Sequence, residues 1–90
     1  LHGVPVSIKD LFDIAGTVTT AASRVREGLV ARDDATAIAR LRAAGVVFVG
    51  KTNLHEFAFG TTNEDSAYGP ARHPLDASRS PGGSSGGSAV

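Results

Sequence analysis

Apolar and polar positions change period several times along the chain, and each change predicts an element. Val4 to Lys9 is apolar and β-branched, which predicts a strand delivering Lys9 and Asp10 at its end. Leu11 to Ile14 and Thr17 to Thr20 read as two further short extended pieces, with Gly16 at the turn between them. Ala37, Ile38, Leu41 and Ala44 then recur at helical spacing, predicting a helix from Asp34 to Ala44. Asp33 or Asp34 is expected to cap its free N–H groups, and Gly45 to end it in the left-handed conformation. Val46 to Val49 is an apolar run of the kind found in strands buried on both faces. A second short helix is expected to start near Asn53 and end at Gly60, with Leu54, Phe57 and Ala58 on one side. Thr61 to Ser80 carries turn formers (Gly69-Pro70, His73-Pro74, Asp76 to Ser80) and little periodicity. No internal repeat is present. Strand, helix, strand and short helix in this order predict an α/β layer structure.

Composition narrows the functional classes. Ninety residues suffice for one small domain at most, and 41% hydrophobic with 20% charged residues argues against wholesale disorder. Nine basic residues balance nine acidic ones, which disfavours an electrostatic nucleic-acid or membrane binder. No apolar run approaches the ~20 residues needed to span a bilayer. Without cysteine there is no disulfide framework, thiolate nucleophile or thiolate metal site. Leu1 to Val6 resembles neither a signal peptide nor a targeting arm, and Ser88-Ala89-Val90 reads as the opening turn of a helix. The expectation is an internal piece of a longer chain, incomplete at both ends.

The densest chemical signal is Pro81-Gly82-Gly83-Ser84-Ser85-Gly86-Gly87-Ser88-Ala89-Val90. A flexible linker is one reading of such a run. Its direct passage into Ala89-Val90 supports another, a glycine-rich turn feeding a helix and offering N–H groups to an anion or a polarised oxygen. A P-loop would need lysine after the last glycine, and Ser88 stands there. A dinucleotide fingerprint would need a strand before Gly82, where the residues are turn-like. Lys9 is the second candidate. It reads either as a solvated lysine paired with Asp10, or as a buried one that has lost proton affinity and can act as a general base toward a serine. His55-Glu56 opens like a zinc-protease motif, but Phe59 occupies the second histidine's place. His2, His55 and His73 are all expected on the surface or in loops, with no metal site.

Gly3-Val4-Pro5-Val6-Ser7-Ile8-Lys9-Asp10 and the Pro81–Ala89 run together resemble the two N-terminal motifs of the amidase signature family. Gly50-Lys51-Thr52-Asn53-Leu54-His55-Glu56-Phe57 and Ser66-Ala67-Tyr68-Gly69-Pro70 look like that family too, in the expected order. The resemblance covers essentially residues 1–90 and implies a partial amidase domain with a mixed-sheet α/β/α fold. It further implies a Ser–cis-Ser–Lys hydrolase that cleaves carboxylic amides through an acyl-enzyme, without a cofactor. Lys9 matches the base, and Ser84 matches the bridging serine whose peptide bond is cis. Ser85 and Ser88 are expected as local hydrogen-bond partners or helix caps. Ala58 falls where relatives line the substrate cavity, with a packed helix residue as the alternative.

The family's nucleophilic serine and oxyanion hole lie in a third motif, expected downstream of Val90. The piece alone is therefore expected to be inactive, and marginally stable with faces such as Val46–Val49 uncovered. Leu54-His55-Glu56-Phe57-Ala58-Phe59-Gly60 looks more like the stand-alone amidases than the A subunit of the tRNA-dependent amidotransferase. The leading expectation is accordingly a cytoplasmic amidase for a small amide substrate, without nucleic-acid or membrane partners and with a homodimer as the candidate full-length assembly. Three alternatives remain. The amidotransferase reading would bring partner subunits, a charged tRNA and glutamine as ammonia source. The other two are a non-catalytic scaffold and an anion binder at Gly82–Gly87.

Overall fold

A computed structural model describes residues 1–90. Its frame is a β-α-β unit. Strand β1 (Pro5–Lys9) leads through a long connection into helix α1 (Thr36–Ala43), which returns the chain to strand β2 (Val47–Thr52). The strands are parallel, pairing Pro5 with Val47 and Lys9 with Thr52. The register shifts between Val6 and Ser7, so that Val6 faces Phe48 and Ser7 faces Gly50, leaving Val49 as a bulge. Helix α1 packs Ile38 against Ile8 and Ile14, and Val6, Leu41 and Phe48 fill in around them. This arrangement is a mixed α/β one, as the order of elements predicts.

Several local expectations are corrected. Asp34 does not cap α1: Ala35 is the N-cap residue and makes no side-chain cap bond. The Asp34 carboxylate instead accepts from the Ala15 N–H at 2.8 Å and from Arg42 Nε at 2.8 Å. It thus ties the preceding loop to the far turn of the helix, at the expense of the first-turn amides. The C-terminus follows expectation. Gly45 adopts φ +81°, its N–H reaches the Arg42 carbonyl, and the Val46 N–H reaches that of Leu41. These two bonds define a Schellman end, which needs the left-handed residue that glycine supplies without a Cβ clash.

Strand β2 is not buried on both faces, since Val47 is 52% and Val49 63% exposed. Helix α1 packs against Ile8 of the sheet, and Val47 and Val49 stay open to solvent. Residues 11–20 form no strand: Val18 bridges Val30, and Gly16 turns at φ +78°. The predicted second helix is only a 3-10 turn (Glu56–Ala58), because Phe57 and Ala58 both take positive φ and break any longer helix. Leu54 is fully buried while Phe57 is half-exposed, so the three residues share no face. The chain ends in helix α2 (Gly86–Ala89), and no helix is long and apolar enough to cross a membrane.

Candidate active site

Alternation along β1 sends Lys9 and Asp10 to opposite sides of the strand end. Lys9 Nζ lies 2.6 Å from Ser84 Oγ and 2.9 Å from Ser85 Oγ, across 75 and 76 residues of sequence. The solvated Lys9–Asp10 pair is therefore corrected, because Asp10 lies beside Lys51, with Nζ 2.7 Å from Oδ1. The Gly83–Ser84 peptide bond is cis. Lys9 and Ser84 are half-buried at the same edge, where β1 and β2 end side by side.

The Gly/Ser run is held from below by the segment that follows β2. Gly86 N–H donates to Asn63 Oδ1 at 3.0 Å, and Gly87 N–H to the Asn53 carbonyl at 3.0 Å. Ser88 Oγ meets Thr52 Oγ1 at 2.8 Å, and the Ser84 carbonyl accepts from the His55 N–H at 2.9 Å. Two glycines allow this approach. A Cβ on Gly86 would stand 2.5 Å from Asn63 Cβ, and one on Gly87 would stand 2.5 Å from the Asn53 backbone nitrogen. These contacts correct one alternative, since a flexible linker would not be bonded at successive residues.

His55 lies in a loop, as expected, but not at the surface, being 9% exposed. Its Nδ1 accepts from the Asn63 N–H at 3.2 Å, and its Nε2 faces the Asp65 carboxylate at 3.4 Å. With Nδ1 accepting, the proton belongs on Nε2. His55 and Asn63 together form the platform under Ser84 and Gly86, a role that no sequence motif signals. Asn63 sits in a stretch without periodicity, and only its fold neighbours reveal it.

Two cavities flank this edge. One of about 370 Å³ lies between β1 and α1, lined by apolar side chains including Val6, Phe12 and Leu41, with Lys9, Ser85 and Ser88 among its polar residues. The other, about 840 Å³, lies over His55, Phe59, Glu64 and Asp65, and neither Lys9 nor Ser84 lines it. Ala58 lines neither; it is half-buried beside the second, in the turn after His55. No group of three or more His, Asp or Glu side chains is placed to hold a metal ion.

The Amidase family profile matches residues 1–90. The chain is 60% identical over 90 residues to the A subunit of glutamyl-tRNA(Gln) amidotransferase from Anaeromyxobacter dehalogenans, covering all of this chain and 18% of that protein. The crystal structure of the A subunit of glutamyl-tRNA(Gln) amidotransferase from Thermotoga maritima superposes with a TM-score of 0.90 at 48% identity, over 97% of this chain and 20% of that one. Native peptide amidase from Stenotrophomonas maltophilia superposes with a TM-score of 0.87 at 45% identity, over all of this chain and 19% of that one. The chain thus spans about a fifth of the length of these relatives. Profile, sequence and fold agree: the chain belongs to the amidase signature family.

Proposed function

We propose that this chain carries the base and the bridging serine of an amide-cleaving site in the A subunit of a glutamyl-tRNA(Gln) amidotransferase. The observation that carries the catalytic part is the 2.6 Å contact between Lys9 Nζ and Ser84 Oγ. The relatives carry the choice of enzyme. The Anaeromyxobacter protein at 60% identity and the Syntrophobacter fumaroxidans protein at 57% both bear that name. This favours the amidotransferase over the stand-alone amidase suggested by Leu54–Gly60. The peptide amidase likeness keeps the stand-alone enzyme as the second reading.

In this reading Lys9 Nζ, which donates to Ser84 Oγ and Ser85 Oγ, gives up one proton before it acts as the base, and its lone pair then faces the Ser84 hydroxyl. Ser84 passes its proton to Lys9 as it takes the proton of a nucleophilic serine supplied from outside residues 1–90. The freed serine oxygen attacks the amide carbon, the C–N bond breaks, and the proton held at Lys9 returns through Ser84 to the leaving nitrogen. Glutamine's side-chain amide would leave as ammonia, and water would then release glutamate from the acyl-enzyme. Proton relay of this kind replaces the histidine of other serine hydrolases. Ala58 as a substrate-lining residue rests on the resemblance alone.

The test is made on the full-length protein with its partner subunits. Lys9→Ala and Ser84→Ala are each expected to lower glutamine hydrolysis by about 10²–10⁴-fold. Wild-type rates in both would overturn the catalytic assignment. Glutamine-dependent amidation of misacylated tRNA supports the amidotransferase, whereas peptide-amide hydrolysis without it supports the second reading. The 90-residue chain alone is expected to be inactive, and turnover abolished by Lys9→Ala would contradict that.

A further inference from the structure

The strand ends form a two-sided clamp. On one side Lys9 and Thr52 hold the Gly/Ser run through Ser84, Ser85 and Ser88. On the opposite side Asp10 and Lys51 hold the loop from Val18 to Ala21. Lys51 Nζ lies 2.7 Å from Asp10 Oδ1 and donates to the Val18 carbonyl at 3.0 Å and to Thr19 Oγ1 at 2.8 Å. Asp10 Oδ2 accepts from the Thr20 N–H at 3.1 Å and from the Thr20 hydroxyl. The Asp10 main chain is bonded on both sides as well, its N–H to the Thr52 carbonyl and its carbonyl to the Ala21 N–H, each at 2.9 Å. Both charged side chains are largely withdrawn from water, at 18% and 16% exposure, so solvent does not readily replace either partner.

We propose that the Asp10–Lys51 pair is the positioning device for Lys9: it anchors the residue next to Lys9 from the far side of the sheet and so aims Nζ at Ser84. The inference rests on the reading of Lys9 as the base. Asp10 and Lys51 are positioning residues, since neither touches Ser84 or Ser85. Lys51 also engages the carboxylate nearest Lys9 in sequence, which keeps the Lys9 amine directed to the serines. A shift of about 1 Å in a catalytic group is enough to cost about 100-fold in rate.

The test compares Lys9→Ala, Asp10→Asn, Lys51→Gln and the double variant Asp10→Asn/Lys51→Gln in the full-length enzyme, with glutamine as substrate. Each single variant of the pair is expected to lower kcat by about 10- to 100-fold with KM within about twofold of wild type. The double variant is expected to be no worse than the poorer single one, because both act through one contact. Lys51→Arg, which keeps the cation, is expected to recover part of the lost kcat. If a single variant does not fold, the double variant decides, since it leaves neither charge alone: lowered kcat at unchanged KM supports the role. Wild-type kcat in a folded pair variant, or a loss confined to KM, overturns it. Wild-type kcat in Lys9→Ala overturns the base assignment itself, a result distinct from an inactive Lys9→Ala beside a fully active Asp10→Asn.

Discussion

The two halves of the chain are built on different principles. Residues 4–52 form a β-α-β unit whose core is Ile8, Ile14 and Ile38, with Ile8 placed by strand and Ile38 by helix periodicity and Ile14 by the connection between them. Residues 53–90 contain only a 3-10 turn and one short helix. That half is held by polar bonds, with Asn63 fully buried and reaching Gly86 through Oδ1 and His55 through its N–H. Apolar packing tolerates shape changes of a methylene or so with graded cost, whereas directional bonds at fixed distances do not. The candidate site lies where the halves meet, with Lys9 from the packed half and Ser84 from the bonded one.

The largest effect is expected from breaking the packed half. Ile38 is 1% exposed, and Ile38→Ala should lower the unfolding free energy by about 2–5 kcal/mol. Denaturant titration of the full-length protein checks this, and a loss well below that range would show that Ile38 is not central to the core. Because the Gly/Ser run is held separately, the remaining folded enzyme should keep much of its kcat.

Gly87→Ala should invert that pattern. Its Cβ meets the Asn53 backbone, which cannot swing away as a side chain would, so about 1–3 kcal/mol of overpacking is expected. Activity should fall out of proportion, because the displaced run carries Ser84. A folded Gly87→Ala enzyme with wild-type kcat would erase the contrast between the halves.

Asn63→Ala should cost about 1–3 kcal/mol by leaving the buried Gly86 N–H without its acceptor. Hydrogen exchange at Gly86, read by NMR or mass spectrometry, should accelerate more than exchange at Ile38. Equal acceleration at both would mean that the halves open as one unit.

The smallest effect is expected at Asp34, on the surface of the packed half. Arg42's hydrogen bonds hold its carboxyl below the usual carboxylate range, with the Ala15 N–H adding to the effect. A depressed folded value means the stabilisation is present above the unfolded pKa and fades as pH falls through the folded one. The Tm difference between the wild-type protein and Asp34→Asn should therefore be small near neutrality and close as pH drops below about 4. A difference that grows on acidification would contradict the ion pair.

Legibility in the sequence follows the same division. The first strand, the helix and its Gly45 end were readable because period and capping chemistry are local properties. Asp34 misled because its carboxylate serves a loop 19 residues away as well as its own helix. The short helix at Asn53–Gly60 failed because Phe57 and Ala58 take positive φ, which no propensity signals. His55 lies in a loop as expected, but a histidine between Leu54 and Glu56 gives no sign of a buried platform role.

The sequence by itself determined the α/β class, the family and the two motifs that bear Lys9 and Ser84, since order and spacing of motifs are one-dimensional facts. Only the tertiary structure decided which groups meet. Lys9 reaches Ser84 and Ser85 while Asp10 turns to Lys51, and Asn63 occupies the amide of Gly86. Those pairings span 23 to 76 residues of chain and depend on distances of about 3 Å or less. A pattern of residue types along the chain does not encode such contacts; parallel pairing of two strands and the close approach allowed by Gly86 and Gly87 create them.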